Sequence, residues 1–282
     1  FQFFNNGINL FDFNSYAIQT NRISSLFEEE LILGSFIQKF TILAVCYFYS
    51  VQNKKSNLLI FFLLIASIQI CFISGERAAL FSILIFFYVY LFLFSQFSKK
   101  IKILIFFSSI TVFSFFIHEN VQIKNRMILN TIESINSSET IYFSPGHKKH
   151  LDNAIELFKN KPISGHGTNN FRKACKKVDQ KLKIYGCSTH PHNLLAQFMS
   201  EKGIIGLIFL VLFYGYIILN IFKCFSNFTE DNYRKIALLF FAILIFFNPL
   251  FPSHNFYNSW VNNIISIIFV FFLIIHSKKI NA

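Results

Sequence analysis

Charge is what this chain has least of. Only 14% of its 282 residues are Asp, Glu, Lys or Arg, where a soluble domain carries about 25%. The few charges are clustered rather than spread. Against them stand 54% hydrophobic residues, with 41 phenylalanines and a mean hydropathy of +0.48. Such a chain cannot cover its apolar surface with polar side chains in water, so lipid is its natural solvent. Any ten-residue alternation of the kind that marks a membrane barrel is also missing, which leaves helices to satisfy the backbone in lipid. Nothing at the start reads as a cleavable signal peptide, because no basic stretch precedes a short apolar run. The first residue is Phe1 rather than methionine, already in a polar stretch, and we expect an N-terminal part of a longer protein to precede it.

A span needs about 20 mainly apolar residues. Seven stretches qualify, at roughly 31–51, 57–74, 78–97, 101–118, 203–222, 235–251 and 260–276; the first is the weakest, with Gln38 and Lys39 inside it. The expected fold class is therefore an all-α polytopic membrane protein of about seven transmembrane helices. Basic residues in short connections set orientation. Lys54, Lys55, Lys99, Lys100, Lys102, Lys223, Arg234, Lys235, Lys278 and Lys279 fall in one set of connections, and only Arg77 in the other. The lysine-rich side is then cytoplasmic. The expected organisation is an outer N-terminal segment 1–30, spans over 31–118, a large outer loop 119–202, spans over 203–276 and a cytoplasmic tail 277–282.

The loop is basic. Between Asn120 and His192 it holds twelve Lys or Arg against five Asp or Glu, a net of +7. Long loops cross the membrane regardless of charge, so the topology stands. A net of +12 in a soluble protein would point to nucleic acid; here it is either a solvated surface or a site for an anionic ligand at the membrane. Within the loop, 151–160 reads as an amphipathic helix stopped by Pro162, and 192–202 as a second one before the step Gly203-Ile204-Ile205-Gly206 opens the fifth span. Both are expected to lie along the interface.

Six of the eight histidines lie between His118 and His192. His147 and His150 are spaced by three and His190 and His192 by two, but no His-Glu-x-x-His occurs and few acids lie nearby, so no metal site is expected. General-base or phosphate-binding work suits these histidines better. Ser144-Pro145-Gly146-His147 has the look of a lipid-phosphate phosphatase motif, yet no arginine precedes a proline upstream. Gly165-His166-Gly167 lacks the strand and helix of a dinucleotide fingerprint and reads as a tight turn. Cys46, Cys71 and Cys224 belong in or beside spans as packing residues. Cys175 and Cys187 share the outer loop, where an oxidising compartment permits a disulfide worth up to about 3 kcal/mol. Arg77 follows Ser74-Gly75-Glu76 between two spans. It is either an interfacial partner of Glu76 or a functional cation, since ionisable groups at membrane depth are costly and the guanidinium fork suits phosphate.

Four strings in order resemble the O-antigen ligase and polymerase superfamily of bacterial membrane glycosyltransferases. They are Asn21-Arg22-Ile23-Ser24 with the following acids and Gly34; Ser74-Gly75-Glu76-Arg77-Ala78; the glycine-rich run from Pro162 to Arg172; and His190-Pro191-His192-Asn193 with Gln197, Glu201, Gly203 and Gly206. The likeness covers 31–276 and implies a GT-C-like fold with a large, partly helical periplasmic loop in the bacterial inner membrane. It implies transfer of a glycan from a polyprenyl diphosphate to a hydroxyl acceptor, either the lipid A core (ligase) or another lipid-linked glycan (polymerase), with no cofactor and no metal. His192 is then expected as the catalytic base and Arg77 as the catalytic cation on the leaving diphosphate. Arg22, Lys39, His150, Arg172, His190 and Asn193 are expected to bind substrate, and Gly165, Gly167, Gly203 and Gly206 to shape the backbone. Two departures stand out: Lys148, Lys149 and His150 occupy the place of a loop arginine, and Leu194 replaces a polar residue. A transporter or flippase is the alternative from another class, but it calls for charged or broken helices at mid-membrane, which only Lys39 offers. A non-catalytic scaffold subunit would show the same spans and loop.

Overall fold

The computed structural model describes residues 27, 31–51, 56–119, 124–137, 145–182 and 187–280. Among these residues all regular secondary structure is helical, with no strand. The helices are α1 (Leu33–Val51), α2 (Ser56–Ile73), α3 (Arg77–Val89, continued by a π-helical turn Tyr90–Phe94), α4 (Lys99–Glu119), α5 (Asn130–Ser137, after a π-helical turn Asn125–Leu129), α6 (Pro145–Asn160), α7 (Phe171–Leu182), α8 (Leu194–Ser226), α9 (Asp231–Phe246) and α10 (Ser259–Ile280). By length and composition, α2, the helix Arg77–Phe94 and α8 can each cross a membrane; they coincide with three of the seven expected spans. The other four expected spans coincide with α1, α4, α9 and α10, and their crossing belongs to the functional proposal. The stretch 1–26, with Arg22, lies outside the described residues.

The chain forms two compact units. One comprises Phe1–Asn130, Thr229–Ala242 and Ile267–Ala282; the other comprises Thr131–Phe228 and Ile243–Ser266.

The first unit is built on α1, α2 and α3, which pack on one another. On α1 the buried positions Gly34, Gln38, Ile42, Val45, Cys46 and Tyr49 recur every three or four residues, the spacing that puts them on one face. They meet Ile60, Leu64, Ser67, Ile68 and Cys71 of α2 and Ile83, Phe86 and Phe87 of α3. Phenylalanine and tyrosine fill the remaining space: the Tyr49 ring meets Tyr90 and Phe94 edge-on at 6.2 and 5.8 Å. Such edge-to-face pairs add about 0.5–1.5 kcal/mol beyond burial.

In the second unit, α6 and α7 cover the first part of α8. Their shared core is Ala154, Leu157, Phe171, Ala174, Cys175 and Ala196, with Leu151, Cys187 and Met199 against it. Cys175 and Cys187 are bonded, with Cα atoms 5.7 Å apart. Two helix boundaries depart from expectation. Helix α6 begins at Pro145, not at 151; proline suits the first turn because its missing N–H would have no partner there. The second loop helix starts at Leu194, not at His192, because Asn193 caps it by accepting from the Ala196 N–H at 3.0 Å. Helix α7 was not foreseen at all. Beyond Gly203 the outer face of α8 is apolar and exposed: Ile204, Ile205, Ile208, Phe209, Val211 and Leu212 are 44–70% exposed. That is the surface a lipid-facing helix presents.

Candidate functional site

A break in α8 organises the second unit. Gly203 has φ 64° and ψ −152°, so the helical ladder stops there. The carbonyls of Ser200 and Glu201, which would have served the next turn, need other donors. The loop 161–170 supplies them. His166 N donates to Ser200 O at 3.0 Å and Gly167 N to Glu201 O at 2.9 Å, while Ile204 N donates to Pro162 O at 2.7 Å. This backbone-to-backbone docking is why glycine stands at 165 and 203. A Cβ on Gly165 would lie 2.4 Å from the Glu201 carbonyl carbon, and one on Gly203 would lie 2.4 Å from Ile163 O. Both residues also hold a positive φ. Gly167 stands in open space and Gly206 is buried one turn further on.

Glu201 locks the same junction from its side chain. The carboxylate is fully buried and accepts from Phe171 N at 3.1 Å, Asn169 N at 3.2 Å and Gln197 Nε2 at 3.4 Å. It thereby places a negative group at the start of α7, where the helix dipole favours one. Gln197 carries the network on, donating to Asn255 Oδ1 at 2.7 Å and accepting from Phe256 N at 3.0 Å. His166 is held by its Nε2 against Leu157 O at 2.9 Å, so that nitrogen carries the proton.

Against this frame lies a cluster of four imidazoles. His192 sits at its centre, with ring centroids 4.1 Å from His190, 5.1 Å from His150 and 5.8 Å from His147. Its backbone is strained: φ is 54°, a conformation costing a non-glycine residue about 1–2 kcal/mol. The strain is held in place by Ser253, whose N–H donates to His192 O at 2.8 Å. Among the described residues no hydrogen bond reaches either ring nitrogen of His192. His190 differs sharply. Its Nε2 donates to Ser253 O at 3.3 Å and its Nδ1 accepts from Thr189 Oγ1 at 3.0 Å. Burial pushes His190 down to about 4, with His150 adding to the shift and the Ser253 carbonyl opposing it. Burial likewise pushes His192 down to about 3, reinforced by His190, His150 and His147. Both rings are therefore neutral near pH 7. Among the described residues no three His, Cys, Asp or Glu side chains are arranged to hold a metal ion.

Several expected substrate ligands have other work. Both nitrogens of His190 are engaged within the protein, and so is the Asn193 amide, which caps α8 and donates to Pro249 O at 2.8 Å. Arg172 is exposed at the start of α7 and takes no part in the histidine cluster. His150 does, and it brings along His147. The turn 247–258 contributes Pro249, Ser253, Asn255 and Phe256 to the site. Sequence reasoning gave that turn no role, because most of its contacts are made by backbone atoms.

In the first unit the 74–77 turn is latched to the start of α1. The Glu76 carboxylate accepts from Gly34 N at 2.7 Å and Ser35 N at 3.2 Å. A Cβ on Gly34 would come within 2.5 Å of Ser74 Oγ. Glu76 thus serves as the cap of α1 from across the unit. One turn along, buried Lys39 donates to Ser35 O at 3.3 Å. Arg77, half-buried, opens α3 beside this latch. Arg126, a residue not singled out in the sequence, reaches the same turn, its Nε donating to Gly75 O at 3.5 Å.

A family model described as O-antigen ligase matches residues 59–211, more than half of the chain. The matched stretch runs from α2 into α8 and includes Arg77, His150, His192 and Glu201. No curated protein matches the chain.

Proposed function

The chain belongs to the O-antigen ligase family, and from that premise we propose that it is a glycosyltransferase moving a glycan from a polyprenyl-diphosphate carrier to a hydroxyl acceptor at the periplasmic face of the inner membrane. The observation that carries this reading is His192. Its backbone is strained, its ring is centred among three imidazoles, and its nitrogens have no hydrogen-bond partner among the described residues. Strain of this kind persists where the surroundings over-determine it, typically at functional sites.

In the transfer, the acceptor oxygen bonds to the anomeric carbon. The bond from that carbon to the diphosphate oxygen breaks, the electron pair leaves with the diphosphate, and the acceptor proton passes to a ring nitrogen of His192. A neutral imidazole holds the lone pair this step needs, although a base works best with a pKa near the working pH. The negative charge of a bound donor raises the His192 value from its low resting level, because a nearby anion favours the imidazolium. Donor binding thereby strengthens the base. His190, fixed as a neutral ring, and Asn193, fixing the start of α8, hold His192 in place rather than touch substrate. Arg77 is assigned the diphosphate, where a guanidinium stabilises the charge that develops on the leaving group, with Lys39 and Arg126 as further cations of the same unit. The Cys175–Cys187 pair supports an outer, oxidising location for the loop, and α1, α4, α9 and α10 complete seven spans.

Complementation tests the reading. Full-length protein in a strain lacking O-antigen ligase should restore the lipopolysaccharide ladder on a gel, and His192→Ala and Arg77→Ala should each abolish it while the protein still inserts. A ladder that survives His192→Ala overturns the base assignment. Absence of a ladder from the parent protein, followed by rescue of a polymerase-deficient strain, would move the acceptor from lipid A core to a second lipid-linked glycan.

A further inference from the structure

Helix α7 is two-sided. Phe171, Ala174 and Cys175 are buried in the core of the second unit, whereas Arg172, Lys173, Lys176 and Lys177 are all exposed. At 3.6 residues per turn these sets fall on opposite sides of the helix. The exposed set contains two like-charged pairs four residues apart, Arg172 with Lys176 and Lys173 with Lys177, an arrangement that repels. Among the described residues none of the four has a carboxylate partner. A merely solvated helix face mixes its signs; this one does not. The helix is held despite the repulsion by its buried side, by the Glu201 carboxylate at its first N–H and by the bridge from Cys175 to Cys187.

Its position relative to lipid follows from the same contacts. Phe171 N lies 3.1 Å from Glu201 Oε1, so α7 starts at the level of residue 201 on α8. The exposed apolar surface of α8 begins at Ile204, three residues or roughly 5 Å further on at the helical rise. Where α8 enters the bilayer, that is the depth of the headgroups. Basic side chains concentrated at that depth attract anionic lipids.

We propose that the face formed by Arg172, Lys173, Lys176 and Lys177 is a docking surface for the anionic headgroups of the phospholipid leaflet into which α8 inserts. Lipid contact relieves the repulsion between the four cations and holds the loop, with its histidine cluster, at a fixed height over the membrane. The surface recognises negative charge on a plane, which four exposed cations with no shared cavity fit better than a single small anion.

Hydrogen exchange on the full chain in nanodiscs tests this locally and independently of glycan transfer. Discs of phosphatidylcholine alone are compared with discs containing phosphatidylglycerol, and peptides covering 171–182 are followed. The anionic lipid should slow exchange in α7 at least fivefold, and added salt should erase the difference. The Arg172→Gln, Lys173→Gln, Lys176→Gln, Lys177→Gln variant should lose the effect, whereas Lys173→Arg, Lys176→Arg, Lys177→Arg should keep it. Bridge formation and monodispersity check that the glutamine variant is folded; if it is not, the salt titration on the parent protein decides. Equal exchange in the two lipids overturns the proposal, as does a slowing that persists in the folded glutamine variant. Slowing by soluble polyphosphate in phosphatidylcholine discs, without any response to phosphatidylglycerol, would overturn it in favour of a soluble anionic partner.

Discussion

Replacing Gly165 by alanine places a Cβ 2.4 Å from the Glu201 carbonyl carbon, 2.5 Å from Lys202 N and 2.6 Å from Glu201 O. All three are backbone atoms of a buried helix, so no side chain can swing aside and the loop itself must lift. Lifting breaks three hydrogen bonds, those of His166 N, Gly167 N and Ile204 N, each worth about 1 kcal/mol net. Alanine at a positive φ adds about 1 kcal/mol more. The total, about 4 kcal/mol, corresponds to nearly a thousandfold rise in local opening at about 1.4 kcal/mol per factor of ten. Gly167→Ala is the internal control. Its φ is also positive, at 96°, but a Cβ there meets nothing within 4 Å, so only the strain of about 1 kcal/mol remains, roughly a fivefold effect. Hydrogen exchange of peptides covering 161–170 and 200–204 measures both. If the two variants open the junction equally, the close backbone approach is not what holds the loop, and the account of the α8 break is wrong.

Three further outcomes follow from the same contacts. Glu76→Ala should destabilise the start of α1 by about 2 kcal/mol, the worth of a strong cap, read as faster exchange at 33–37, with Glu76→Gln recovering part of the loss. Unaltered exchange there would remove Glu76 from the latch. Cys175→Ser should cost the second unit about 3 kcal/mol on loop-closure grounds, seen as a lower melting point, and parent protein should show the bridge by mass spectrometry without reductant. Acid should weaken the second unit through its histidines. His190 resists protonation until about 4 in the folded state, whereas the unfolded chain takes up its proton near 6.5. The stabilising effect of the neutral ring is therefore complete above that value and is lost as the pH falls from about 6.5 toward 4, at up to about 1.4 kcal/mol per pH unit. His190→Phe should flatten that slope in a thermal-stability series, and an unchanged slope would exclude His190 as its source.

What could be read from the sequence was what side-chain type and spacing encode. The helices Ser56–Ile73 and Arg77–Phe94 and the membrane part of α8 were visible because hydropathy alone decides them. Helix α7 carried its signal too: Phe171, Ala174, Cys175 and Val178 are spaced by three and four, the pattern of one buried face. Four lysines or arginines between them masked it. The misplaced start of α8 has a simple origin, since asparagine at 193 is a better cap than histidine at 192, and the cap leaves His192 outside the helix in a strained conformation. The 74–77 turn held a contact that spacing could not show, because the Glu76 carboxylate reaches the N–H groups of Gly34 and Ser35 at the start of α1.

Backbone chemistry explains what could not be read. A helix interrupted at Gly203 leaves carbonyls that must be served, and nothing in the identity of His166 or Gly167 says that their N–H groups will do so. Ser253 holds His192 and His190 through its own N–H and carbonyl, so any residue other than proline could supply both contacts. The glycines are the exception, because a backbone that must come within van der Waals range of another leaves a mark in composition. Gly165 and Gly203 lie at one junction: a Cβ on the first would strike the backbone of Glu201 and Lys202, and one on the second the backbone of Pro162 and Ile163. Two glycines so placed join the end of the loop to the first turn of a membrane helix. Movement of α8 in the bilayer is thereby coupled through Glu201 and Gln197 to the turn that carries Asn255 and Phe256, and through Asn193 to the backbone on which His192 is held.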